Sequence, residues 1–114
     1  MMNDYLTIVN GVVIDCNTDV TDVVIPDGVT VIGEHAFAYC KSLESIIITT
    51  GVRFIGKAAF AYCANLKNII IPNSVTIIWA GAFAYCENIM IHCYKNSYAE
   101  EYAKKNNIPY KIID

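Results

Sequence analysis

The chain has 114 residues, of which 55% are hydrophobic and 17% charged, with a formal charge of −3; so apolar a composition leaves too little polar material to cover the outside. Its Lys and Arg residues form no basic run, which excludes a nucleic-acid backbone as the expected partner. Its apolar runs fall far short of the roughly 18–20 residues that a membrane helix requires, so no membrane insertion is expected.

The length suits one domain. Met1-Met2-Asn3-Asp4 is not basic, and the apolar run Leu6 to Val9 stops at Asn10-Gly11, so the chain as it stands carries no export signal. The expected location is the cytoplasm if the chain is complete, and the cell surface or exterior if it is a piece of a longer exported protein.

Leu6-Thr7-Ile8-Val9 and Val12-Val13-Ile14-Asp15 are short β-rich runs on either side of Asn10-Gly11, the pair that a type I′ hairpin turn favours because both central residues need φ > 0. A hairpin is therefore expected over residues 1–19, as the lid on one end of the fold. Asp15, Asp19, Asp22 and Asp27 follow at spacings too loose for a calcium loop, so this stretch reads as a solvated connector.

The pentapeptide Ala-Phe-Ala-Tyr-Cys then occurs three times, from Ala36, Ala59 and Ala82. An equal step of 23 residues between copies is the signature of stacked coils. Three repeats align without a gap as Val20 to Ser42, Leu43 to Asn65 and Leu66 to Asn88. Each holds a first strand (Val23-x-Ile25, Ile46-x-Ile48, Ile69-x-Ile71), a turn, and a second extended segment (Val29 to Ile32, Val52 to Ile55, Val75 to Ile78). The pentapeptide then forms a corner expected to be helical or 3₁₀.

The motifs Leu-x-x-Ile-x-Ile-Pro at Leu66 to Pro72, Val-x-x-Ile-Gly at Val29 to Gly33 and Ala-Phe-x-x-Cys at Ala36 to Cys40 resemble the BspA-type leucine-rich repeats of bacterial proteins. The resemblance covers roughly residues 20–94. It implies an α/β repeat solenoid, a right-handed coil with a parallel sheet along one side, without enzymatic activity. It also implies proteins often displayed at the bacterial surface and used for binding.

Beyond Asn88 the plan changes. Ile89, Ile91 and Cys93 alternate as in a last strand shifted by one residue, which would turn His92 outward. Ser97-Tyr98-Ala99-Glu100 is a capping box that opens a short helix, ended by Asn106-Asn107 and barred from continuing by Pro109; Tyr110 to Ile113 can return as an edge strand. Residues 89–114 thus form a C-terminal cap on three repeats spanning 20–88, all within a single domain of residues 1–114.

Stacking like on like predicts internal files of Phe37, Phe60 and Phe83 and of Cys40, Cys63 and Cys86. Cysteine at a fixed repeat position reads as a small buried hydrophobe, though equivalent cysteines on neighbouring coils would lie near disulfide separation. Tyr39, Tyr62 and Tyr85 form a further ladder, readable as an aromatic platform for a carbohydrate or a partner, or as rings with wet hydroxyls.

Strand alternation turns two lines of apolar residues outward: Val24, Ile47 and Ile70, and Val31, Phe54 and Ile77. Together they would make a contiguous patch of several hundred Å², larger than a monomer normally leaves wet. Either these strands are buried on both faces within a longer assembly or are simply β-rich by composition, or the patch is a protein interface, most simply a homodimer packed sheet on sheet. Trp79 replaces Gly33 and Gly56 of the other repeats; if those glycines need φ > 0, the third corner must differ in backbone shape, and Trp79 is a candidate interface anchor or, equally, a local cover for the last coil.

For chemistry the sequence offers little. His35 and His92 lie far apart without metal-ligand spacing, and no cofactor is expected. Cys93 beside His92 is the one adjacent thiol and imidazole pair, yet strand neighbours point to opposite faces, so a cysteine-dependent enzyme is the weaker reading. A third reading makes the chain the terminal part of a longer surface adhesin.

Overall fold

A computed structural model describes residues 5–17 and 19–113. Leu6–Val9 (β1) and Val12–Cys16 (β2) pair antiparallel about Asn10 and Gly11. Their φ angles of 51° and 79° are those that the type I′ turn demands. Each coil then contributes two short strands. These are Asp22–Val24 (β3) and Val31–Ile32 (β4), Ser45–Ile47 (β5) and Phe54–Ile55 (β6), and Asn68–Ile70 (β7) and Ile77–Ile78 (β8). Met90–Cys93 (β9), the helix Tyr98–Lys105 (α1) and Tyr110–Ile112 (β10) complete the chain.

The coils stack into a β-solenoid with parallel pairing between rungs and one C-terminal helix. There are two sheets where one was expected, in the orders β1-β2-β4-β6-β8 and β10-β9-β7-β5-β3. The second extended segment of each repeat therefore builds a wall of its own. The hairpin is more than a lid, because β2 joins the first sheet with Val12 opposite Val31 and Val13 opposite Ile32.

The corners form a third wall without forming a helix. Bonds of the i to i+3 type close successive turns, as from the Ala36, Ala38 and Cys40 N–H groups to the Gly33, His35 and Phe37 carbonyls. Left-handed residues interrupt them at His35 and Tyr39, with φ of 59° and 64°, so no 3₁₀ segment can propagate. Every second N–H instead donates to the next coil: His35 to Lys57, Phe37 to Ala59 and Tyr39 to Ala61, repeated from Ala58, Phe60 and Tyr62. All three walls are thus hydrogen-bonded from coil to coil.

Inside lies one continuous apolar cluster. Phe37, Phe60 and Phe83 stack face to face with centroids 5.0 and 5.4 Å apart. Leu43 and Leu66 fill the next position, with Val20 partly buried above them. The step from Ile69 to its partner Ile91 is 22 residues, the one-residue shift that alternation predicted. His92 accordingly sits on the outer face, half-buried, with its Nε2 2.9 Å from Asn68 Oδ1.

Helix α1 closes the end. The Glu100 N–H donates to Ser97 Oγ at 3.1 Å, and Glu100 Oε1 accepts from the Asn96 N–H at 2.7 Å, one residue before the usual capping-box partner. Past the C-cap Asn106 the chain turns at Asn107, whose φ is 56°. There the Ile108 and Asn107 N–H groups reach back to the Ala103 and Lys104 carbonyls, the paired bonds of a Schellman stop. Ala99 and Ala103 face the core and Tyr102 meets Phe83 edge-on at 6.1 Å, while Tyr98 is exposed.

Candidate functional site

The seven residues singled out as an interface do not share a face. Val24, Ile47 and Ile70 stand in register on β3, β5 and β7 of the second sheet. Val31, Phe54 and Ile77 stand in register on β4, β6 and β8 of the first, and Trp79 follows β8. Both sheets send their alternate side chains into the same core cluster, so their outer faces look in different directions. The single contiguous patch is replaced by two separate files, because the turn after each first strand carries the chain onto another wall.

The two files differ in exposure. Val31, Phe54 and Ile77 are all half-buried, and Trp79 is the exposed member of that face at 55%. On the second sheet Val24 is 53% exposed, Ile47 41%, and Ile70 half-buried. Beside this file runs a shallow groove of about 460 Å³ lined by Ile47, Thr49, Ile70, Pro72, Asn73 and Tyr94, among others. Thr49 Oγ1 lies buried there without a protein hydrogen-bond partner among the described residues.

Trp79 does not change the backbone as expected. Gly33 and Gly56 are absent from the residues with positive φ. What holds them as glycine is space: a Cβ on Gly33 would lie 2.6 Å from the Val13 carbonyl oxygen, and one on Gly56 2.7 Å from the Glu34 nitrogen. The third coil keeps the same rung bond, Trp79 N–H to the Ile55 carbonyl at 2.9 Å, as Gly33 makes to Val13 and Gly56 to Ile32. It admits a side chain where the first two coils have no room.

On the corner wall Tyr39, Tyr62 and Tyr85 are exposed and stacked, with centroids 4.7 and 4.6 Å apart and planes within 4° and 12° of parallel. They bound a second groove of about 370 Å³ floored by Ala58, Ala61 and Ala84, with Lys57 at its side. A sugar stacks on a ring face, and here the inner faces are already taken by one another. The column presents edges and hydroxyls, which weakens the carbohydrate-platform reading.

All five cysteines are free and buried. Cys63 Sγ donates to the Phe37 carbonyl at 3.0 Å, and Cys86 Sγ to the Phe60 carbonyl at 2.9 Å, so each thiol ties its coil to the one before. The neighbouring Cys86 thiol and then burial hold the Cys63 thiol far above its ordinary range. Cys93 lies inside and burial pushes its thiol up, while His92 occupies the other face of β9. The two groups of the candidate nucleophile pair are not brought together. Asp15, Asp19, Asp22 and Asp27 are exposed, and no group of three or more His, Cys, Asp or Glu among the described residues is arranged to hold a metal. Among the same residues no helix is long and apolar enough to cross a membrane.

Stacked coils with parallel rungs, like-on-like internal files and atypical segments at both ends define a leucine-rich-repeat solenoid, a class of repeat module that generally mediates protein interactions and is typically non-enzymatic. Residues 12–108 match six copies of the BspA type leucine rich repeat region. The chain belongs to that family. The match starts in β2 and runs past α1, so it takes in parts of both terminal segments. Neither a curated protein nor a solved structure matches the chain.

What the sequence could not give was the division of the outward residues between two walls. Each repeat holds a turn at Asp27-Gly28, Thr50-Gly51 or Asn73-Ser74, but no residue type says how sharply it redirects the chain. The φ of 92° at Gly28 and 109° at Gly51 mark those bends.

Proposed function

We propose that the chain is a non-catalytic protein-binding module that associates with a second copy of itself through the outer face of the second sheet. The observation that carries this is the registered file Val24, Ile47 and Ile70. Two branched aliphatic residues, half exposed and one rung apart, stand on a sheet whose opposite face is fully committed to the core. Aliphatic side chains on a flat face bury each other well when a like sheet packs against them at about 10 Å.

The groove beside Ile47 and Ile70 adds depth to that face. Val31, Phe54, Ile77 and Trp79 on the first sheet form a second and separate contact face, favoured by the exposed indole, a side chain common among interface anchors.

Light scattering tests the reading directly. The parent is expected to have the mass of a dimer, and Ile47→Glu or Ile70→Lys to give folded monomers, because a charge in the centre of such a face must be desolvated without a partner. An Ile47→Glu protein that kept its parent's mass would overturn it.

A further inference from the structure

Charge is unevenly distributed along the solenoid. Residues 1–33 hold five aspartates and no Lys or Arg, whereas residues 34–114 hold all eight Lys and Arg against six Asp and Glu. On the outer face of the second sheet the same polarity appears. Asp22 stands on β3 at one edge; at the other edge Lys111 of β10 is in register with His92 of β9. Between them, Glu44 and Lys67 occupy equivalent positions just before β5 and β7. Both are exposed, and neither forms an ion pair among the described residues.

Exposure also varies along the file. It falls from Val24 through Ile47 to the half-buried Ile70 and His92 and rises again at Lys111 on the far edge. Two identical faces can meet about a two-fold axis in two simple ways. An axis along the stack lays rung on equal rung, with the acidic edge over the acidic edge. An axis along the strands reverses the rung order and lays acid over base, with the exposed Val24 over the half-buried His92.

Resting on the self-association reading above, we propose that two copies pack with rungs in opposite order, about an axis parallel to the strands that passes between β5 and β7. Ile47 then lies over Ile70 of the second copy, Val24 over its His92, and Glu44 over its Lys67, each contact occurring twice by symmetry. Lys111 of each copy reaches past the open edge of β3 toward Asp22. Head-to-tail joining of β10 to β3 is opposed by the caps, since α1 packs on β8 and β9, at the level where the next copy's β1 and β2 hairpin would have to stand.

The experiment is a charge swap read by the dimer dissociation constant, from dilution in an analytical ultracentrifuge. Glu44→Lys and Lys67→Glu each create two like-charge contacts and are expected to raise it about tenfold. The double variant E44K/K67E restores both pairs and is expected to return within about threefold of the parent. Monomer melting curves, with both sites exposed, check that the fold is unaffected. If Ile47→Glu yields monomers but the singles are silent, or the double is as weak as their product, the face stands and the orientation is overturned. A monomeric parent overturns both.

Discussion

Two aromatic columns, two residues apart in every coil, invite comparison. Phe37, Phe60 and Phe83 stack at 5.0 and 5.4 Å inside; Tyr39, Tyr62 and Tyr85 stack at 4.7 and 4.6 Å outside. Nearly the same geometry arises in opposite environments, so burial does not create it. The spacing comes from the corner wall, where Phe37 and Tyr39 each donate their N–H to the coil below. The difference lies in what stacking is worth. Between the phenylalanines it accompanies nearly complete loss of water; between the tyrosines it shields ring faces while edges and hydroxyls stay wet.

The comparison is tested most severely by Phe60→Ala, which leaves a cavity between two rings that cannot close without breaking the rung bonds. A loss of about 3–5 kcal/mol is expected in urea unfolding. A variant as stable as the parent would show that the internal column contributes little.

Gly56→Ala comes next, because it attacks the spacing instead of the rings. The new Cβ would meet backbone atoms of the preceding coil at 2.7 to 2.9 Å, atoms that cannot turn aside, and about 1–3 kcal/mol should be lost. Trp79→Gly, at the equivalent place in the third coil, relieves nothing and should leave thermal unfolding close to that of the parent.

Tyr62→Ala sharpens the contrast from the other side, with an expected loss that is a small fraction of the Phe60→Ala value by the same measurement. The smallest effect is on alkaline stability. Partial loss of water beside the stacked rings, then the neighbouring Tyr85 and Tyr39 hydroxyls, raise the Tyr62 pKa above the ordinary value. The fold therefore favours the neutral phenol, its contribution is intact below the ordinary tyrosine value near 10, and it fades as pH climbs through the raised one. Tyr62→Phe should flatten that decline in chemical unfolding measured between about pH 9 and 11.

Much of the architecture could be read from the chain because it rests on local rules repeated at a fixed step. Asn10-Gly11 specified a hairpin through its need for positive φ, Ser97 and Glu100 specified a helix start, and the spacing of Phe37, Phe60 and Phe83 specified an internal file. The corner conformation was hidden because Tyr39, Tyr62 and Tyr85 take a left-handed backbone, with φ of 64°, 63° and 61°, that bulky residues seldom adopt alone. At Tyr39 and Tyr62 that backbone goes with N–H bonds to the Ala61 and Ala84 carbonyls of the next coil, 22 residues away, which no local rule foresees. The reason for Gly33 and Gly56 was hidden for a similar cause: it is the closeness of the preceding coil, which a reading of isolated residues sees as torsional freedom. The candidate face was visible residue by residue in Val24, Ile47 and Ile70, yet its extent was not, since the same alternation marked Val31, Phe54 and Ile77 on another wall.

The bonding of all three walls bears on how such a stack responds to tension. Hydrogen bonds between coils run along its length, so a force applied between its two ends must stretch the two sheets and the corner ladder together before any one coil can peel away. Slack is confined to the segments joining the walls. Such a molecule should extend in discrete steps, one turn of chain released per rupture, and resist until each threshold is reached.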